Sequence, residues 1–107
     1  MEDTFGNYIR ELRTKKGLTL TQLGALLGID SGALSKIENG KRQLDEKILP
    51  TLAKVFNLNL KQLKNEFISE QIAYKIYRND CSFEVLKLAE KKVKYYRQRQ
   101  INKTEKV

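Results

Sequence analysis

The sequence predicts an all-α fold. Three observations carry that prediction: a single proline among 107 residues, no stretch that alternates apolar and polar residues over the length of a strand, and apolar residues that return every three or four positions along most of the chain. Each element can then be argued in turn.

The first helix is expected over about Thr4 to Lys16. Phe5, Ile9 and Leu12 share one side, Arg10, Arg13, Lys15 and Lys16 suit the negative end of its dipole, and Gly17 stops it. Thr19-Leu20-Thr21-Gln22 has the form of a capping box, in which the Thr19 hydroxyl and the Gln22 side chain satisfy each other's backbone amides. It opens a short helix whose apolar stripe is Leu20, Leu23, Leu26 and Leu27, ending at Gly28. Three residues later Asp30 or Ser31 caps a third helix over Ser31 to Glu38, with Leu34 and Ile37 inward and Asn39-Gly40 closing it. Asp45 can cap the next element, but Pro50 would clash with a preceding carbonyl inside a regular helix. An irregular first turn is therefore expected, with the regular helix over Pro50 to Phe56. Asn59 caps a fifth helix from Leu60 to about Arg78, long enough to allow a break near Ser69. Ser82 caps a last helix from Phe83 to about Gln98, on which Leu86, Ala89, Val93 and Tyr96 are spaced three, four and three apart. The tail, 101–107, is polar and expected to fray.

Composition narrows the function. The net charge is +8, which suits a polyanionic partner such as nucleic acid. Residues 69–107 carry 10 of the 21 Lys and Arg, so the basic excess is concentrated at the far end. No apolar run is long enough to span a bilayer, the first residues lack a signal peptide's pattern, and the single cysteine, Cys81, permits no internal disulfide. These features predict a cytoplasmic protein without a membrane partner. Cys81, small and beside Ser82, is expected to be at least half-buried. Histidine is absent, which removes Ser-His-Asp and Cys-His catalysis and His-based metal sites. Gly24, Gly28 and Gly32 are not followed by the Gly-Lys-Ser/Thr of a phosphate loop. No catalytic residue, metal or cofactor is predicted, and the chain is expected not to be an enzyme.

The decisive stretch is Leu18 to Arg42: two short amphipathic helices joined by the turn Gly28-Ile29-Asp30. Gly24 sits mid-helix, where it costs about 1 kcal/mol relative to alanine and is justified by a close helix crossing. The residues Leu18-Thr19, Leu23, Leu26-Leu27-Gly28-Ile29, Leu34 and Ser35-Lys36-Ile37-Glu38-Asn39-Gly40-Lys41-Arg42 resemble, without a gap, the Cro and phage-repressor (XRE) family of helix-turn-helix domains. The likeness continues through Leu52-Ala53-Lys54-Val55-Phe56 and Leu60-Lys61-Gln62-Leu63 and covers about residues 5–68.

The resemblance implies a five-helix DNA-binding domain over residues 1–68, with a C-terminal helical extension over 69–100. It implies that Ser31, Gly32, Ala33, Ser35 and Lys36 face the major groove, that Thr19 and Leu20 open the preceding helix near a phosphate, and that Asn39, Lys41 and Arg42 meet the DNA backbone. Glu38 is expected to be structural. Two departures stand out. Position 20 is Leu where relatives commonly carry Gln, and the leading groove positions are all small. Ser31, Gly32 and Ala33 cannot make bidentate contacts to a base, so Lys36, water and DNA shape are expected to carry much of the specificity. The function implied is a sequence-specific regulator of transcription, a repressor, such as a restriction-modification controller or other mobile- or defence-locus regulator. The alternatives are an antitoxin-type autorepressor that binds a protein toxin, or a protein-interaction module. The extension's apolar seam needs a partner, and a homodimer through Leu86, Ala89, Val93 and Tyr96 is expected; a different protein on that helix is the other option.

Overall fold

The structure, a computed structural model, describes residues 4–105. Its helices are α1 (Phe5–Lys15), α2 (Leu20–Leu27), α3 (Ser31–Glu38), α4 (Leu49–Phe56), α5 (Leu60–Arg78) and α6 (Glu84–Glu105), with one 3-10 turn at Glu46–Ile48 before α4. No strand occurs among the described residues. The backbone divides into two compact units, one ending at Gln71 and one beginning at Ile72, with the boundary inside α5.

In the first unit the caps form as the side chains dictate. Thr4 accepts from the Asn7 amide, Asp30 from Ala33, and Asn59 from Gln62. Both halves of the Thr19–Gln22 capping box are made. Gly17 and Gly28 end α1 and α2 in the left-handed region, at φ of 74° and 73°. Pro50 lies in the first turn of α4, and the chain before it is wound as the tighter 3-10 turn that Asp45 caps through the Lys47 amide. The irregular entry expected of Pro50 is thus present. Helix α5 runs past Ser69 without a break.

The core of this unit is assembled from every helix in it. Ile9, Leu23, Leu34, Leu49, Leu52 and Leu63 are its most deeply buried large side chains, and Phe5 of α1 meets Phe67 of α5 edge-on at 5.3 Å between ring centres. Two stripe positions differ from expectation. Leu12 is only half-buried, and Leu26 is 52 % exposed, because Leu23 and Leu27, four apart, define the inward line of α2 and Leu26 falls beside it. Glycine permits two close approaches. A Cβ on Gly24 would overlap the carbonyl oxygen of Ile29 in the turn, and one on Gly6 would overlap that of Ile37 at the end of α3. The first matches the close crossing inferred from the sequence; the second was not foreseen.

The second unit has a different character. The end of α5 is closed by Asp80 at φ 52°, and α6 follows a short turn, one residue later than expected, because Phe83 stays in the turn and is 82 % exposed. No side chain described from Ile72 onward is buried. Cys81 is exposed, contrary to expectation, since this turn has no core to receive it. Residues 101–105, expected to fray, continue α6, and the last two residues of that tail lie outside the described residues. No described helix is long and apolar enough to cross a membrane.

Candidate nucleic-acid interface

Helix α3 has two sharply different sides. Ala33, Leu34, Ile37 and Glu38 are buried; Ser31, Gly32, Lys36 and Asn39 are exposed, with Ser35 half-buried at the border. The arrangement follows from the helical period, which puts residues 31, 35 and 39 on one line and 34, 37 and 38 on the other. The helix is short, and its own backbone bonds would not hold it in water. It is held instead by Leu34 and Ile37 in the core and by one buried acid.

That acid is Glu38, whose side chain is 2 % exposed. Arg13 of α1 grips it with both ends of its fork, Nε at 2.7 Å from Oε2 and Nη2 at 3.0 Å from Oε1, while donating to the Leu18 carbonyl at 2.9 Å. Hydrogen bonding to Glu38 chiefly, and its charge secondarily, raise the Arg13 pKa above the ordinary arginine value against the opposing effect of burial. Arg10 adds a longer contact, Nε to Oε1 at 3.4 Å, and donates through Nη2 to the Asn39 side-chain oxygen. A buried charge without such partners would be costly. Here all three groups tie α1 to the end of α3.

The sequence-predicted residues are therefore placed as follows. Ser31, Gly32, Ser35, Lys36 and Asn39 come together on the outward side of α3, and Lys41 and Arg42 are exposed just beyond it. Thr19 is exposed at the start of α2, its hydroxyl oxygen engaged by the Gln22 amide. Ala33 does not belong with them. It is 7 % exposed, two positions from Ser31 and Ser35 and so turned to the core side. The Leu20 side chain packs against the core, which explains an apolar residue at that position. Glu38 has the structural place expected of it. The sequence pattern marks Arg10 and Arg13 only as dipole partners; an acid at position 38, on the apolar line of Leu34 and Ile37, is the available sign that cations must come from another helix.

Residues 9–63 match the family model described as Helix-turn-helix. The chain belongs to the XRE-type helix-turn-helix family. Two Bacillus subtilis (strain 168) helix-turn-helix relatives share short stretches with it. The uncharacterized HTH-type transcriptional regulator RghRB is 55% identical over 38 residues, 36% of this chain and 27% of that protein. The HTH-type transcriptional repressor RghR is 42% identical over 40 residues, 37% of this chain and 30% of that protein. The chain thus spans less than a third of either curated relative. Among solved structures, the clp gene regulator ClgR from Corynebacterium glutamicum superposes with a TM-score of 0.51 at 22% identity, covering 71% of this chain and 80% of that one. The likeness supports the helical fold. The restriction-modification controller C.AhdI from Aeromonas hydrophila is 34% identical with a TM-score of 0.49, covering 55% of this chain and 86% of that one. Among the described residues of this helix-turn-helix chain, no group of three or more His, Cys, Asp or Glu side chains is placed to hold a metal ion.

Proposed function

We propose that the chain is a sequence-specific regulator of transcription, a repressor, that docks the outward side of α3 in the major groove of double-stranded DNA. The observation that carries this reading is the outward line of exposed Ser31, Lys36 and Asn39 with half-buried Ser35, on a helix anchored from behind by a buried, doubly gripped carboxylate. A helix so held presents small polar side chains at its leading end, and nothing bulky keeps it from the floor of the groove. Lys41 and Arg42 follow where the chain would meet phosphates, and Thr19 with the first amides of α2 lies at a second such place. The measurement that tests it is the salt dependence of binding to duplexes selected from a random-sequence pool. Lys41→Ala and Arg42→Ala are each expected to weaken binding across sequences and to reduce the slope of log K against log salt by about one. Equal affinity of the unaltered protein for all duplexes would end the claim of specificity.

We propose further that two copies act together on an inverted repeat, paired through Leu86, Ala89, Val93 and Tyr96 of α6. All four lie on one stripe of the helix and are exposed, Leu86 by 46 % and Val93 by 44 %. Lys92, Arg97 and Arg99 border that stripe against a single acid, Glu90, so two copies bring a net excess of like charge together. Added salt should therefore tighten the dimer while it loosens DNA binding. Solution mass measured across salt concentrations tests this, and a monomer under all conditions refutes it. The exposed apolar stripe equally supports the alternative of an antitoxin or interaction module, in which a different protein, such as a toxin, seats on α6; a one-to-one complex with an acidic neighbour-encoded protein would favour it. A controller of a restriction-modification system or another mobile or defence locus is the setting we propose, to be tested by transcription from the chain's own promoter region with and without the protein.

A further inference from the structure

We infer that Arg10, on α1, is a positioning residue for DNA recognition: it ties down the oxygen of the Asn39 carboxamide and so leaves Asn39 to offer DNA only its amide N–H donor. The inference rests on the DNA-binding reading above. Its basis is a directed chain of four groups. Arg10 Nε donates to Glu38 Oε1 at 3.4 Å, and Arg10 Nη2 donates to Asn39 Oδ1. Asn39 Nδ2 then lies 3.5 Å from Ser35 Oγ, within reach of a weak donated bond. A guanidinium has donors and no acceptor, so the Asn39 atom facing it must be the oxygen, and the amide nitrogen must face Ser35. A Ser35 oxygen that accepts from Asn39 directs its own proton elsewhere. Glu38 contributes no acceptor to this surface, because it is buried and its oxygens are taken by Arg13 and Arg10.

The consequence concerns which DNA atoms the surface can read. A free asparagine offers an oxygen and a nitrogen together, the pair that matches the N6 and N7 edge of adenine. Asn39 has its oxygen engaged, so it cannot make that paired contact. Its remaining N–H, with the Lys36 ammonium beside it, fits hydrogen-bond acceptors: N7 and O6 of guanine, or phosphate oxygens. Specificity at this point is thus set partly by a residue on another helix.

The test is a double-mutant cycle on duplexes that the unaltered protein selects from a random-sequence pool, with thermal unfolding recorded for every variant. Arg13 keeps its two-pronged hold on Glu38 in Arg10→Met, so that variant is expected to fold. Arg10→Met and Asn39→Ala should each weaken binding about tenfold. Because Arg10 acts through Asn39, the double variant should bind within about twofold of Asn39→Ala. Arg10→Lys, which can reach one partner at a time, should fall between Met and the unaltered protein. Pools selected by Arg10→Met should shift towards adenine at a position where the unaltered protein favours guanine. Multiplying losses in the double variant would overturn the inference, as would an unchanged base preference where the acceptor is shown to be guanine. Substituting 7-deazaguanine for guanine, or a methylphosphonate for one phosphate, identifies the acceptor; indifference to both also overturns it. In the free protein, the Asn39 side-chain amide resonances should shift in Arg10→Met, and unshifted resonances refute the tie itself. Should the unaltered protein select no duplex while those resonances do shift, the DNA reading has failed and the positioning role falls with it, although the tie stands.

Discussion

The two units of this chain use the same kind of amphipathic helix to opposite ends. Up to Gln71, five helices meet at turns set by Gly17, Gly28, Gly40 and Asn57, and among the described residues every buried apolar side chain lies between Phe5 and Phe67. From Ile72 onward the helices also carry apolar stripes, yet Ile72, Tyr77, Phe83, Leu86, Val93 and Tyr96 all remain exposed. The tightest acid–base pair of each unit repeats the contrast. Arg13 and Glu38 are 14 % and 2 % exposed and hydrogen-bonded along two edges, whereas Lys94 and Glu90 are 72 % and 68 % exposed and 3.9 Å apart. A periodic stripe therefore reports that a helix has something to bury, and only the turns around it report whether the same chain supplies the cover.

The sharpest way to break this comparison is to remove equal pieces of apolar surface from each unit. Leu34→Ala is expected to lower the unfolding free energy by about 3–4 kcal/mol, since a fully buried leucine leaves a cavity that the packed helices cannot close. Val93→Ala should cost less than about 0.5 kcal/mol at protein concentrations where the chain is monomeric. Urea denaturation of both variants checks the pair. A large loss for Val93→Ala in the monomer would mean that α6 is covered by its own chain, and the distinction between the units would collapse; a loss that grows with protein concentration would instead support the proposed dimer.

Glu38→Gln is expected to cost about 3 kcal/mol, because it leaves the largely buried Arg13 guanidinium opposite a neutral amide. The loss should change little with added salt, as the pair is shielded from solvent ions. It should also be constant as pH rises through the neutral range. A raised folded-state pKa means that the Arg13 contribution is present below the unfolded value and is lost only as pH climbs through the folded one, far into alkali. Unfolding followed in urea at several salt concentrations measures this, and a salt-sensitive loss would contradict the buried geometry.

Much of the first unit was legible in the residues themselves. Thr19 with Gln22, Asp30, Asn59 and the glycines write their own caps, and Pro50 dictated the 3-10 entry to α4. These are local effects, settled by a residue and its neighbours within one turn. The misplacements at Ala33 and Leu26 have one physical source. Both are small shifts around a helix axis, fixed by contacts with other helices that a linear pattern does not contain. The tie from Arg10 through Asn39 to Ser35 spans 29 positions in its longest link and has no local signature beyond an acid on an apolar line. In the second unit the helices were legible, but what covers them was not, because that cover is not written in the spacing of one chain.

The smallest expected effect closes the contrast between the ion pairs. Glu90 precedes Lys94 by one helical turn, the favourable order for such a pair, but both side chains stand in water. Glu90→Gln should therefore change the unfolding free energy by no more than a few tenths of a kcal/mol and should slightly lower the helix content of the second unit at low salt. Lys87, Lys91, Lys92 and Lys94 crowd the same helix, so the acid's main effect is to dilute a run of like charges, and that effect is screened once the Debye length falls to a few ångströms at about 1 M salt. Circular dichroism in low and high salt distinguishes the two pairs directly: the Glu90 effect should vanish where the Glu38 effect persists. If Glu90→Gln costs as much as Glu38→Gln, the α6 pair is covered in solution, and the interface along the stripe from Leu86 to Tyr96 must extend over the neighbouring Glu90.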